Sequence, residues 1–85
     1  MKKIKFEQEA FLHYNEWANI DIKIFRKIAK LIADIQRQPF EGLGKPEPLK
    51  YGFQSFWSRR ITEEHRLIYK VNDAEITIIS CKYHY

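Results

Sequence analysis

The chain has 85 residues, of which 45% are hydrophobic and 15% aromatic, with only 3 Gly and 3 Pro. This length excludes two separate domains and the composition excludes a disordered chain, so we expect one compact domain over residues 1–85. Its 15 Lys and Arg outnumber 11 Asp and Glu, and the net charge of +4 favours an anionic partner, either RNA or an acidic protein.

A single cysteine, Cys81, excludes an internal disulfide and therefore a secreted scaffold held together by such bonds. The two early lysines are followed too soon by Glu7, Gln8 and Glu9 for the apolar stretch of a signal peptide. No segment reaches the roughly 18 apolar residues of a membrane span. We therefore expect a cytoplasmic protein that does not enter a membrane.

The first part of the chain predicts a short strand and a helix. Residues 3–6 alternate polar with apolar side chains, which is typical of a strand with Ile4 and Phe6 turned inward. From Glu7 to about Trp17, apolar residues recur three or four positions apart, which indicates an amphipathic helix.

A second helix follows directly, because the oxygens of Asn19 and Asp21 can cap a new helix start and Pro39 ends it. Its apolar face is expected to hold Ile24, Ile28, Leu31, Ile32 and Ile35. Its polar face is expected to hold Lys23, Lys27, Lys30 and Asp34.

Residues 39–50 hold all three prolines and two of the three glycines, which predicts a loop of fixed shape. Extended runs at 52–61, 65–71 and 75–83, separated by turns at 62–64 and 72–73, then predict an antiparallel meander. The fold class is therefore α+β, with an N-terminal strand, a two-helix hairpin and a sheet that the helices cover on one face.

A two-residue turn at Asn72-Asp73 would set the register of the last hairpin and oppose Lys70 with Glu75 as a charge pair. The face towards the helices would then carry Leu67, Tyr69, Val71, Ala74, Ile76 and Ile78. The other face, which the helices leave uncovered and available for function, would carry Arg66, Ile68, Lys70, Glu75, Thr77, Ile79, Cys81, Tyr83 and Tyr85.

Metal and cofactor motifs are missing from the sequence. His13, His65 and His84 are far apart, and no pair of histidines has the spacing of a zinc motif. No serine-centred elbow, phosphate-binding glycine loop or dinucleotide fingerprint is present either. We expect no metal and no cofactor.

Ionisable side chains in the sheet half suit RNA cleavage without a metal. RNA supplies its own nucleophile in the 2′-hydroxyl, so an enzyme needs a base, an acid and cations for the phosphate. The residues of these types are Glu47, Lys50, Arg59, Arg60, His65, Arg66, Lys82 and His84, with Tyr83 and Tyr85 as platforms for stacked bases.

Each of these residues also has an ordinary structural interpretation. Glu47, between two prolines, is by default a solvated loop charge, and His84 is by default a frayed chain end. His65 can simply start a strand, Arg66 can pair with a neighbouring acid, and Tyr83 can edge the core. The residues alone indicate a basic α+β domain and leave RNA binding open.

Three stretches resemble the YoeB (Txe) family of the RelE/ParE toxin superfamily. They are PFEGLGKPEPLK at 39–50, FWSRRITEEHRL at 56–67 and CKYHY at 81–85. The likeness is close over the last 47 residues, whereas the first 38 share only the pattern of a strand and two helices. It implies a RelE/YoeB-like microbial ribonuclease-type fold and a ribosome-dependent endoribonuclease that cuts mRNA in the A site, through 2′-hydroxyl attack and without a metal.

The resemblance also implies a role for each matching residue. Glu47 matches the general base, Arg66 the cation on the scissile phosphate, His84 the general acid and Tyr85 the aromatic that orients the substrate base. A carboxylate is a weak base in water, so Glu47 is expected to be buried between its prolines near Arg66. The expected RNA contacts are Lys50, Arg59, Arg60, Lys82 and Tyr83.

Two features depart from a simple match. Lys82 stands where the family often has Arg, and a lysine cannot make the bidentate contact with phosphate that an arginine makes. Strict alternation places His84 on the face opposite Arg66 and Tyr85, so His84 joins them only if a bulge or a curled chain end re-aims it.

The implied partners are a cognate acidic antitoxin of the YefM kind, the ribosome with its mRNA, and a second copy of the chain in a homodimer. Two alternatives stay open at this point. A ParE-like toxin that binds DNA gyrase would share the fold without needing Glu47 or His84, and a basic RNA-binding module would have no activity.

Overall fold

The computed structural model describes residues 1–49 and 55–83, which form two helices and five strands. Strand β1 (Lys3–Phe6) is followed by helices α1 (Gln8–Ile20) and α2 (Ile22–Arg37). The remaining elements are strands β2 (Glu47–Pro48), β3 (Phe56–Arg60), β4 (Arg66–Val71) and β5 (Glu75–Ser80). The predicted order of a strand, a helical hairpin and a meander is confirmed, although residues 52–54 of the first predicted run lie outside the described residues.

The strands form one mixed sheet in the order β1-β5-β4-β3-β2. β1 runs parallel to β5, with Ile4 paired to Ile76 and Phe6 to Ile78, while the other neighbours are antiparallel. The two helices connect β1 to the meander, so β1 reaches the edge beside β5, its most distant strand in sequence. The fold is therefore α+β, as expected.

The hydrophobic core lies between the helices and one face of the sheet. α2 contributes a stripe three and four residues apart, and α1 contributes Ala10 and Trp17. Neither α1 nor α2 combines the length and apolar character that crossing a lipid bilayer requires. The fully buried aliphatic side chains of α2, of the sheet and of the residue after β3 are Ile28, Leu31, Ile35, Ile61, Leu67, Ile76 and Ile78.

Asp21 separates the two helices and caps the second, as predicted. Its carboxylate accepts the amide hydrogens of Lys23, at 3.0 Å, and Ile24, at 3.4 Å. Such a cap stabilises a helix by about 1 kcal/mol. α1 extends to Ile20, past the expected end near Trp17.

The register of the last hairpin differs from the expectation by two residues. The Asn72 side-chain oxygen accepts the amide hydrogens of Ala74, at 2.9 Å, and Glu75, at 2.8 Å, which centres the turn one residue later. Val71 therefore pairs with Ile76 and Lys70 with Thr77, so the predicted Lys70–Glu75 pair is wrong. A shift by two preserves alternation, so Leu67, Tyr69, Val71, Ile76 and Ile78 stay on the inward face. Ala74 falls in the turn and is exposed, so its predicted place on that face is wrong.

A β-bulge at Ile79 changes the alternation near the end of β5. Tyr69 pairs with Ile78 whereas Ile68 pairs with Ser80, which leaves Ile79 as the extra residue. Cys81 is consequently fully buried, with its sulfur 3.5 Å from the carbonyl oxygen of Ala10 in α1. The expectation that Cys81 lies on the face away from the helices is wrong.

The second face of the sheet is only partly open. Ile68 and Thr77 belong to that face, yet they are 7% and 5% exposed. Thr77 lies in register between Lys5 and Lys70, whose long aliphatic stems flank a short side chain. The expectation of a fully free face therefore holds only towards the β2 and β3 side.

Candidate active site

The sheet register places Glu47 and Arg66 on the same face, away from the helices. Glu47 pairs with Ser58 of β3, Ser58 pairs with Ile68 of β4, and Arg66 lies two residues before Ile68. Because residues opposite each other in a sheet point to one side, Glu47 and Arg66 flank a common patch. Two strand spacings and two residues separate their Cα atoms, which amounts to about 12 Å.

Arg66 is held in place by the turn before it. Its Nη1 donates to the carbonyl oxygens of Thr62, at 2.7 Å, Glu63, at 3.1 Å, and His65, at 3.2 Å. The Thr62 hydroxyl accepts the amide hydrogens of Glu64 and His65 and so fixes that turn. Nε and Nη2 have no partner among residues 1–49 and 55–83, so that edge of the guanidinium can bind an anion.

A second cation faces Arg66 across the strands. Arg60 of β3 pairs directly with Arg66 of β4, and its side chain is exposed. Two like charges opposite each other in a sheet repel, and an anion between them removes the repulsion. This pair of arginines is a feature that suits a phosphate.

Glu47 is exposed, so the expectation of a buried carboxylate is wrong. It belongs to β2, a strand of two residues at the edge of the sheet, where Pro48 is tolerated because one side makes no ladder bonds. Its carboxylate has no hydrogen bond or ion pair within the described residues, and water reaches it freely in the isolated chain.

Arg59 is fully buried on the helix side, so its predicted contact with RNA is wrong. Its guanidinium binds the Asp34 carboxylate and donates to the carbonyl oxygens of Gln38, at 2.6 Å, Glu41, at 2.8 Å, and Leu43, at 3.1 Å. The arginine thus attaches the loop after α2 to β3. It positions the segment that leads to Glu47 and does not itself face a ligand.

Asp34 is 5% exposed, which corrects its placement on the polar face of α2. Burial alone would raise the pKa of its carboxyl, but hydrogen bonds from the Leu43 amide and from Arg59, Gln38 and Arg37 lower it far below the ordinary value. Asp34 is therefore a charged group inside the fold, and its partner lies 25 residues away in sequence.

The segment after β5 is attached to both α1 and β4. The Cys81 carbonyl accepts from the Trp17 indole nitrogen at 2.9 Å. The Tyr83 amide donates to Nδ1 of His65 at 2.8 Å, and the Tyr83 carbonyl accepts from the Arg66 amide at 2.8 Å. The backbone of Tyr83 is thereby fixed beside Arg66, and His84 and Tyr85 follow it directly in the sequence.

Lys82 and Tyr83 differ in how free their side chains are. Lys82 is partly buried, with Nζ 3.6 Å from a Glu16 carboxylate oxygen and 5.8 Å from the centroid of the Trp17 ring. Tyr83 is 50% exposed. Their contact with RNA stays a prediction, and in the isolated chain Lys82 is engaged with α1.

Three residues of the predicted site, Lys50, His84 and Tyr85, lie outside the described residues. Among the predicted catalytic residues, the structure brings Glu47 and Arg66 to one face, and it fixes the residue that precedes His84. The sequence does not indicate the hydrogen bond between the Tyr83 amide and the His65 imidazole. Sequence reasoning also missed the burial of Arg59, although strict alternation with Trp57 and Ile61 would have placed Arg59 towards the helices.

The described residues contain no cluster of three or more His, Cys, Asp or Glu placed to hold a metal ion. Cys81 is no candidate nucleophile, because burial raises the pKa of its thiol to about 12. The groups on the Glu47 and Arg66 face are a carboxylate and cations, which can accept a proton and stabilise a phosphate.

Comparison with known proteins agrees with this arrangement. The family described as YoeB-like toxin of bacterial type II toxin-antitoxin system matches residues 6–85, so the likeness also covers the helical half. Toxin YoeB from Escherichia coli K12 is 52% identical over 83 residues, which are 98% of this chain and 99% of that protein.

Solved structures of relatives have the same fold. The YoeB dimer from Staphylococcus aureus is 46% identical, with a TM-score of 0.92 over 99% of this chain and 98% of that one. The YoeB-YefM complex from the same organism is 44% identical, with a TM-score of 0.87 over 100% of this chain and 99% of that one. The chain belongs to the YoeB-like toxin family of bacterial type II toxin-antitoxin systems.

Proposed function

We propose that this toxin is an endoribonuclease that cleaves mRNA in the A site of the ribosome and so inhibits translation. The observation that carries the proposal is the placement of Glu47 and Arg66 on one sheet face, with the Tyr83 backbone bonded beside Arg66. The site would act in the cytoplasm, where translating ribosomes are.

The cleavage step needs a base, an acid and a cation. Glu47 takes the proton from the 2′-hydroxyl, and the 2′-oxygen attacks the phosphorus. The bond from phosphorus to the 5′-oxygen breaks, His84 gives that oxygen its proton, and a 2′,3′-cyclic phosphate remains. Arg66 stabilises the charge that develops on the phosphate, and Tyr85 orients the neighbouring base by stacking.

The exposure of Glu47 supports a requirement for the ribosome. A carboxylate in water is a poor base, and it becomes a stronger one when water is excluded from it. The isolated chain does not bury Glu47, so bound mRNA and the walls of the A site would have to exclude that water. Free RNA should accordingly be cleaved far more slowly than mRNA on ribosomes.

The partner we propose is an acidic antitoxin of the YefM kind, with a homodimer of the toxin as the other assembly. A groove of about 680 Å³ between α2 and the loop after it supports an acidic partner. Leu31 and Leu43 supply apolar contacts, and none of the described residues that line the groove is acidic. Its cationic lining consists of Lys23, Arg26, Lys27, Lys30, Lys45 and Arg60.

The proposal is tested by substituting the base and the acid one at a time. Glu47→Gln and His84→Gln should each slow cleavage of mRNA on translating ribosomes by about 100-fold or more. Glu41→Gln is the matched control, because it removes an exposed carboxylate from the same loop. Mapping the 3′ ends of cleaved mRNA supplies the readout.

Growth arrest separates the alternatives. A chain that acts by binding DNA gyrase would stay toxic as His84→Gln, and it would leave mRNA intact. An inert RNA-binding module would arrest no cells even without substitution. Either result would refute the ribonuclease proposal.

A further inference from the structure

The imidazole of His65 makes a hydrogen bond that its position at the start of β4 does not require. Nδ1 accepts the amide hydrogen of Tyr83, 18 residues later, at 2.8 Å. An acceptor at Nδ1 is an unprotonated nitrogen, so the ring is neutral and carries its hydrogen on Nε2. Nε2 lies 3.6 Å from a Glu64 carboxylate oxygen.

The ring is fixed from several sides. His65 is 8% exposed and meets the Trp17 ring edge-on, with 4.9 Å between centroids and an angle of 77°. Its other neighbour is the Tyr83 ring, with 5.0 Å between centroids. A side chain packed between α1 and the C-terminal segment cannot change rotamer freely, so the position of Nδ1 is set by the core.

Tyr83 needs such a partner because its backbone is strained. Its φ is +61°, in the left-handed region, which costs a residue other than glycine about 1 kcal/mol or more. The bonds to Nδ1 of His65 and from the Arg66 amide offset that cost. Without the imidazole acceptor, the amide end of Tyr83 would lose the contact that holds this conformation.

His65 and Arg66 therefore fix two groups at once. The side chain of Arg66 lies on the Glu47 face, while its amide and the imidazole of His65 bind the residue that directly precedes His84. His65 and the first residue of β4, Arg66, thus set the distance between the Arg66 guanidinium and the residue before His84.

We propose that His65 is a positioning residue of the ribonuclease site: through Nδ1 it holds Tyr83, the residue directly before His84 in the sequence, in its left-handed conformation. The inference rests on the proposed function for its effect on cleavage. The contact itself is independent of that function and can be measured separately.

An isosteric pair of variants tests the role. Asparagine and leucine have the same size and branching, but only His65→Asn retains an acceptor bonded to Cγ, where Nδ1 is bonded in histidine. Both variants lose the ring contacts with Trp17 and Tyr83 equally. The two variants differ in the acceptor and in side-chain polarity, and exchange of the Tyr83 amide reports the acceptor itself.

His65→Leu should cleave mRNA on ribosomes at least about tenfold more slowly than His65→Asn, with the loss in kcat and little change in KM. KM is expected to change little because Arg66 and the other cations remain. Equal rates for the two variants, with both folded by circular dichroism, would overturn the proposal.

Hydrogen exchange supplies a readout that does not depend on cleavage. The Tyr83 amide should exchange at least about tenfold faster in His65→Leu than in His65→Asn. If His65→Leu does not fold, the same measurement on the unsubstituted chain decides: a Tyr83 amide that exchanges as in an unfolded peptide, or a protonated Nδ1 at neutral pH, overturns the contact. An unsubstituted chain that cleaves no RNA would refute the proposed function, whereas the exchange result tests the His65 bond by itself.

Discussion

The Asp34 carboxylate and the Arg59 guanidinium meet inside the protein, and neither side chain is more than 5% exposed. This contact joins α2 to β3 across the loop that ends in Glu47. Tyr69 extends the network, because its hydroxyl accepts from Nε of Arg59 at 3.1 Å and donates to the Pro39 carbonyl at 2.7 Å. Every buried polar side-chain atom among the described residues has a partner. The position of the candidate base is therefore coupled to the core.

Replacement of Asp34 by Ala should destabilise the fold strongly. The buried guanidinium of Arg59 would keep its charge and lose its counter-ion, which typically costs about 3 to 5 kcal/mol. Urea unfolding measures the free energy of unfolding. Asp73→Ala in an exposed turn is the control and should change it by about 0.5 kcal/mol or less. A small effect of Asp34→Ala would mean that water or another anion replaces the carboxylate.

Acid should weaken the fold through the same carboxylate. Hydrogen bonds lower the pKa of Asp34 in the folded state against the opposing effect of burial, whereas in the unfolded chain it is about 3.9. The resulting stability is fully present above that unfolded value and is lost as the pH falls below it. The free energy of unfolding should therefore fall less between pH 6 and pH 3 for Asp34→Asn than for the unsubstituted chain. Parallel pH curves for the two proteins would contradict this assignment.

Gly42 should not tolerate a side chain. Its φ is +116°, and a Cβ there would collide with the Asp34 carboxylate and approach Gln38 Nε2 to 2.8 Å. Gly42→Ala should therefore lower the free energy of unfolding by more than about 1 kcal/mol. Gly44→Ala is the comparison, because its nearest neighbours would lie at 3.1 Å and the loss should be smaller. Thermal unfolding ranks the two variants, and the reverse order would contradict the steric argument.

Cys81 should be unreactive in the folded protein. Burial, with a smaller effect of the Glu16 carboxylate, raises the pKa of its thiol to about 12, so almost no thiolate exists at pH 8. Iodoacetamide should modify the native chain at least about 100-fold more slowly than the chain unfolded in urea. Mass spectrometry follows the modification. Similar rates would show that the C-terminal segment leaves α1 readily.

Much of the fold follows from local patterns, because the helices and strands repeat apolar residues at their own periods. The helical pattern predicts that the Asp34 carboxylate faces solvent, because charged side chains usually do. Its burial depends on Arg59, which is remote in sequence. The register error at Asn72 has a different cause, because the sequence allows two turns whose centres differ by one residue. The Asn72 side chain stabilises the later one by accepting the amide hydrogens of Ala74 and Glu75. The alternation of polar and apolar residues in β5 does not predict the bulge at Ile79.

The candidate site was predicted unevenly. The residues alone indicate a basic α+β domain whose ionisable groups suit RNA cleavage, and the roles of Glu47 and Arg66 come from the family resemblance. The exposure of Glu47 agrees with its ordinary interpretation as a solvated loop charge and not with the burial expected of a base, because β2 is an edge strand of two residues. The sequence predicts His65 only as the start of a strand, because no local pattern links it to Tyr83, whose amide it binds.

The parallel pairing of β1 with β5 couples the two ends of the chain during synthesis. Lys3 lies opposite Glu75, so within the described part of the chain β1 has no strand neighbour until β5 has left the ribosome. A nascent chain that stops early leaves β1 without its ladder and the core uncovered. The topology thus keeps the sheet incomplete until β5 has been synthesised.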